Sequence, residues 1–164
     1  MASTQTWSEF NGTNAASETG SRSEIDFKNV DDSTTAYTSS PITAGNNSYV
    51  KYQALKFAGT WNSLSALTYK IDNNAPATGI SIVGSVVTSG TTPTTTALGD
   101  SAFSTSGLSA NFNNSSTPYG AGTSSTTAGG TMYANAFRAQ MKTTGSAAPG
   151  DTPQVTFTAT WTES

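Results

Sequence analysis

Along the last stretch of the chain, Thr152 to Thr162, apolar and polar side chains alternate without a break. Val155, Phe157, Ala159 and Trp161 fall on one parity. Gln154, Thr156, Thr158, Thr160 and Thr162 fall on the other. Successive strand residues point to opposite faces, so this pattern predicts a half-buried antiparallel strand that organises the core. The same alternation predicts strands over Ser23 to Lys28, with Ile25 and Phe27 on one face, and over Leu64 to Ile71, with Leu67, Tyr69 and Ile71 together. Ser48 to Phe57 is the longest regular run. Tyr49, Lys51, Gln53, Leu55 and Phe57 share one side and Val50, Tyr52, Ala54 and Lys56 the other. Neither side is cleanly polar, so both faces of this strand are expected to be covered in part.

Gly79 to Thr88 is β-branched with Gly84 inside it, which predicts a strand with a bulge or a close backbone approach. Thr34 to Thr38 and Ala102 to Leu108 read as short strands carrying Tyr37 and Phe103. Met132 to Lys142 fits two periods. Tyr133, Phe137 and Met141 form a helical stripe, and Tyr133, Asn135, Phe137, Ala139 and Met141 form a strand face. The surrounding strands favour a strand here, paired with the C-terminal one. Turn clusters such as Ala44-Gly45-Asn46-Asn47 and Asp72-Asn73-Asn74 separate the runs. Ser89 to Asp100 and Asn111 to Thr131 are low-complexity loops. The expected fold is all-β: an antiparallel β-sandwich, jelly-roll-like, with long Ser/Thr/Gly-rich loops. Met1 to Arg22 is polar apart from Trp7 and Phe10 and reads as an N-terminal arm (1–22) ahead of a sandwich domain (23–164).

Composition sharpens this picture. The 164 residues contain no Cys, so packing and backbone ladders must hold the fold without disulfides. Charged residues make up only 10%, against about 25% in an average domain. With seven Lys and Arg against ten Asp and Glu, the chain lacks the basic footprint of a nucleic-acid binder. The opening residues show no basic segment followed by an apolar core, and no run approaches the roughly 20 apolar residues of a membrane span. The expected site of synthesis is therefore a cytoplasm, with no membrane partner.

Candidate chemistry is sparse. With neither His nor Cys, the Ser-His-Asp and Cys-His triads and the usual zinc ligand sets are excluded. No Ser sits in G-x-S-x-G and no phosphate-cradling glycine loop occurs. The chain is read as a non-enzyme without a cofactor. Glu24, Asp26, Asp31 and Asp32 are the densest acidic group and form a weak calcium candidate, since calcium takes several oxygen ligands at a strand-to-turn corner. Trp7, Trp61, Tyr119 and Trp161 are the aromatics that a carbohydrate platform would use, with Trp61, placed in a turn, the leading contact residue.

Two stretches carry a resemblance. One is P-I-T-A-G-N-N-S-Y-V-K-Y-Q-A-L-K-F-A-G-T-W, Pro41 to Trp61. The other is A-A-P-G-D-T-P-Q-V-T-F-T-A-T-W-T-E-S, Ala147 to Ser164. Together with the opening W-S-E-F-N-G they resemble a group of small tailed-bacteriophage virion structural proteins. The resemblance implies a capsid decoration, or cement, protein located in the virion after assembly in the host bacterial cytoplasm. It also implies the major capsid protein as partner and a homo-oligomer, with a trimer favoured. Trp7, Phe10 and Trp61 are the expected capsid or subunit contacts, and removing Met1 to Gly20 is expected to weaken capsid binding while the body stays folded. A tail, fibre or neck component, or a carbohydrate-binding sandwich module, are the alternative readings.

Overall fold

The computed structural model describes residues 3–127, 129–150 and 153–164. Met1 and Ala2 of the expected arm, Ala128 of the second long loop, Asp151, and Thr152 at the start of the expected C-terminal strand lie outside the described residues. Among the described residues eleven strands form two antiparallel sheets, and the chain is an all-β sandwich. They are β1 (Ser3–Asn11), β2 (Ser17–Thr19), β3 (Lys51–Gly59), β4 (Leu64–Ile71), β5 (Ile80–Val86), β6 (Leu108–Ser109), β7 (Phe112–Asn113), β8 (Ser125–Thr126), β9 (Gly130–Ala134), β10 (Phe137–Thr143) and β11 (Phe157–Glu163). The larger sheet runs β2-β1-β3-β10-β5, with β9 joining β3 to β7. The smaller runs β11-β4-β6, with β8 also on β4.

β3 is the strand around which the larger sheet is built. β1 lies along one of its edges, and β10 and then β9 share the other. Its alternate residues Leu55 and Phe57 face the smaller sheet, and Tyr52 and Ala54 face a second apolar cluster on the opposite side. Coverage of both faces explains why its sequence shows no polar side. The second cluster is closed by Val87, just past β5, and by Leu98 and Tyr119 from the two long loops. The main core centres on Phe137, whose ring lies 5.1 Å from Tyr69, 5.2 Å from Phe103 and Phe157, and 6.0 Å from Trp7. Such aromatic contacts add about 0.5–1.5 kcal/mol each beyond area burial.

Several expectations need correction. The N-terminal segment is no arm: eight consecutive residues, Ser3 to Phe10, pair with β3, so the described part of 1–22 shares the sandwich core. Ser23 to Lys28 is not a strand. Its neighbourhood makes single backbone bonds to different partners, Arg22 N–H to Trp7 and Tyr49 N–H to the Lys28 carbonyl, instead of a ladder. Thr34 to Thr38 gives way to a 3-10 turn at Tyr37–Ser39. Ala102 to Leu108 is not one strand: it contributes a bridge at Ala102 and, at its far end, Leu108 to β6, although Phe103 between them is fully buried.

Met132 to Lys142 is neither one helix nor one strand. Tyr133 pairs with Lys56 but Phe137 pairs with Gln53, so four steps on this side oppose three on β3. The extra residue is a β-bulge, and a bulge of one reverses which parity faces inward. Tyr133 therefore points into the second cluster and Phe137 into the main core. β10 pairs with β3 and β5, not with the C-terminal strand, which lies at the edge of the smaller sheet against β4. That strand supports the core with Phe157 and Trp161 from a border position and does not organise it.

Candidate functional site

The face of β1 and β3 that carries Trp7 and Leu55 continues past the smaller sheet as Glu9, Asn11, Gln53 and Lys51. There the irregular segment 22–35 covers it. Glu9 is 1% exposed, Lys51 0% and Asn11 8%. Lys51 Nζ donates to Glu9 Oε1 at 3.1 Å and to the Asp32 carbonyl at 2.9 Å, and Gln53 Nε2 donates to Glu9 Oε2 at 3.1 Å. Arg22 Nε stands 3.9 Å from Glu9 Oε2. Turned so that its amide finds acceptors, the Asn11 carboxamide donates to Asp31 Oδ1 at 2.9 Å and to Glu9 Oε1 at 3.1 Å. Lys28, also fully buried, donates to Asp32 Oδ1 at 2.8 Å and to the Thr35 carbonyl. Buried charges persist only when paired and hydrogen-bonded, and here Lys28 and Lys51 each have acceptors on the covering segment.

The calcium candidates meet this network but do not form a cage. Asp31 and Asp32 line a shallow hollow of about 290 Å³ with Asn11, Thr19 and Ser33, and Glu24 and Asp26 are not part of it. Asp31 Oδ2 accepts the Gly12 N–H at 2.8 Å. Asp32 accepts from Lys28, from the backbone N–H groups of Thr34 and Thr35, and from the Thr35 hydroxyl. Burial works to raise the Asp32 carboxyl, but the Lys28 ammonium and these donors outweigh it and hold the group well below the usual carboxylate range. Among the described residues no group of three or more His, Cys, Asp or Glu is gathered around a metal-sized site.

Of the expected contact aromatics, Trp61 is 4% exposed inside the main core and Phe10 is 4% exposed in the second cluster. Neither side chain is presented to a partner, because each fills the chain's own interior. Trp7 is partly exposed but rests on Tyr69 and Phe137. Trp161 packs edge-on to Phe57 at 5.4 Å. The fourth aromatic, Tyr119, forms a wall of a groove of about 680 Å³ between the β1–β2 hairpin and the loop tips at Ser89 and Thr117. Its ring meets Phe10 and Tyr52 edge-on and its hydroxyl donates to the Ala15 carbonyl at 2.9 Å. Glu18 is the groove's one carboxylate among the described lining residues. It accepts from Tyr133 at 2.5 Å and Ser8 at 2.7 Å. Burial raises its carboxyl, and these hydroxyls with Lys56 more than compensate, leaving it lowered. Paired-carboxylate sugar hydrolysis has no second partner there.

The third feature is an edge. β11 pairs with β4 on one side and with no other described strand on the other. Asp72 N–H donates to the Thr156 carbonyl, which places the backbone groups of Thr156, Thr158 and Thr160 toward β4 and those of Phe157 and Ala159 toward the open side. Sequence reasoning found this strand but missed the buried network. A signal was present: Lys51 and Gln53 share a strand face with Leu55 and Phe57. Comparison with protein-family models, with curated proteins and with solved structures finds no match to this chain.

Proposed function

We propose that this chain is a non-enzymatic virion structural protein of the capsid-decoration type. It binds the outer surface of a tailed-phage capsid as a homo-oligomer, a trimer, and stabilises contacts between major capsid protein subunits. The observation that carries this reading is the open edge of β11. An unpaired strand edge offers a ready row of N–H and C=O groups to an extended segment of a neighbour, and its threonines keep that edge soluble until it is covered. The stretches that carry the resemblance supply β3 with its approach and β11. The charge distribution supports the same reading. Arg22, Lys28, Lys51, Lys56 and Arg138 all pair with the chain's own carboxylates. That leaves a weak surface field, suited to contacts by shape and backbone bonding and not to nucleic acid.

The test uses purified full-length protein and expanded capsids lacking an outer layer, followed by co-sedimentation and electron microscopy. Ordered density on the capsid lattice is expected. Ala159→Pro removes an N–H from the open edge while leaving the β4 ladder in place, and it should weaken capsid binding by roughly tenfold or more with the fold retained. Bare heads would overturn the decoration reading, and density on tails would reassign the chain to a tail, fibre or neck role. Equal occupancy by the proline variant would remove the edge from the contact. Glycan binding lost on Tyr119→Ala, with bare heads, would instead establish a carbohydrate-binding module at the groove.

A further inference from the structure

The network under segment 22–35 contains an amine, a carboxamide and a carboxylate in one buried place. The β1–β3 register sets Phe10 opposite Tyr52, so Asn11 and Lys51 are cross-strand neighbours on the inward face. Glu9 lies two residues along β1 on the same face, opposite Gln53. Lys51 Nζ and Asn11 Nδ2 each lie 3.1 Å from the same oxygen, Glu9 Oε1. One carboxylate oxygen therefore touches both a nucleophile and a leaving group, with water largely excluded.

We infer that Lys51 and Asn11 join autocatalytically in an isopeptide bond between β1 and β3, with Glu9 as the proton carrier. Glu9 Oε1 takes a proton from the Lys51 ammonium and frees its lone pair. Nζ attacks Asn11 Cγ to give a tetrahedral adduct. Glu9 passes the proton to Nδ2 and takes a second one from Nζ as the Cγ–Nδ2 bond breaks. The Nζ–Cγ amide forms, nitrogen leaves as ammonia, and the proton carried by the lysine departs with it as ammonium. Glu9 ends as the carboxylate it began as, and no oxidant, reductant or cofactor is consumed. Arg22 Nε, buried and without a hydrogen-bond partner among the described residues, remains beside Glu9 as its counter-charge once the lysine charge has gone. The product ties the central strand to its neighbour in a chain that has no disulfide. For a shell component under internal pressure, such a crosslink bears load where hydrogen bonds shear.

The test is the intact mass of the folded full-length protein, with fragment spectra after digestion. The expected mass is one ammonia, about 17 Da, below that of the sequence, with the Asn11 and Lys51 peptides joined. Asn11-Gly12 can also lose ammonia by closing on its own backbone, so Lys51→Arg is the deciding variant. It should recover the full mass, as should Glu9→Gln. Loss of ammonia that persists in Lys51→Arg, or a wild-type mass that stays at the sequence value after prolonged incubation, overturns the inference. Loss of water with Lys51 joined to Asp31 overturns the assignment to Asn11. The presence or absence of the joined Asn11–Lys51 peptide in the wild-type fragment spectra decides the matter even if both variants fail to fold, and it does so whether or not the protein binds capsids.

Discussion

Gly84 sits in the middle of β5 because two neighbours occupy the space a side chain needs. A Cβ there would lie 2.1 Å from the Arg138 carbonyl oxygen and 2.7 Å from the Phe103 ring. The carbonyl belongs to the adjacent strand and cannot swing away without breaking the ladder. Gly84→Ala is therefore expected to cost about 3 kcal/mol, read as a lower urea midpoint at unchanged slope. Sequence reasoning offered a bulge or a close approach at this residue, and the ladder of β5 with β10 runs through Gly84 unshifted, so the close approach is the answer. Trp61 shows the opposite case. A tryptophan beside Gly59 and Asn62 reads as exposed because turns usually are, yet its ring is buried in the main core. No local pattern distinguishes a turn folded over a core from one projecting into water.

At the scale of elements, β1 and the 130–143 segment carry the largest differences between sequence and structure. β1 looked like a tail because Met1 to Arg22 is polar apart from Trp7 and Phe10, which fall on opposite parities. Opposite parity is what a strand with both faces covered requires, since Trp7 serves the main core and Phe10 the second cluster. Deletion of Met1 to Gly20 is accordingly expected to unfold the body instead of merely weakening capsid binding. It strips one whole edge of β3 and leaves Lys51 without Glu9. Removing one partner of a buried pair alone costs about 3–5 kcal/mol. Loss of the near-ultraviolet circular dichroism signal and of a cooperative thermal transition would show it, and a truncated protein that melts as the full chain does would contradict it. In 130–143 the run of apolar residues was plain, but the bulge that separates Tyr133 from Phe137 is created by pairing with β3. The smaller sheet has a parallel case. Ala66, at φ 55°, is the extra residue of β4 against β11, and it lets both Leu64 and Leu67 point inward.

For the whole molecule, acid stability follows from where the carboxylates sit. Arg138, bonded through two nitrogens at 2.7 and 2.8 Å, is the chief cause holding Asp100 below its ordinary value. Asp32 and Glu18 are lowered as well. A carboxyl depressed in the folded state contributes stability that is present above its unfolded value, near 4, and is lost as pH falls through the folded value. The melting temperature is expected to stay level from about pH 7 to 5 and to fall steadily below about pH 4. A profile flat to pH 2 would show that these pairs contribute nothing. The chain ends join in the same way, Ser3 donating its N–H and hydroxyl to Glu163 at 2.8 and 2.6 Å across the two sheets. Charges thus act mainly inward, which leaves an outer surface dominated by hydroxyls.

The strands β3, β4 (Leu64 to Ile71, with unchanged bounds) and β5, the turns between runs and the all-β class were legible in the residues themselves. Alternation, β-branching and turn chemistry are local properties, carried by neighbours in the chain. Partner choice, bulges and the covering of both faces of β3 were not legible, because they depend on segments tens of residues apart. The buried network belongs with these. Glu9, Lys28, Lys51 and Asp32 are ordinary surface residue types until the fold places a counter-charge beside each. Only the tertiary structure, by bringing 22–35 over β1 and β3, turns Glu9, Lys28 and Lys51 from solvated charges into buried, paired groups.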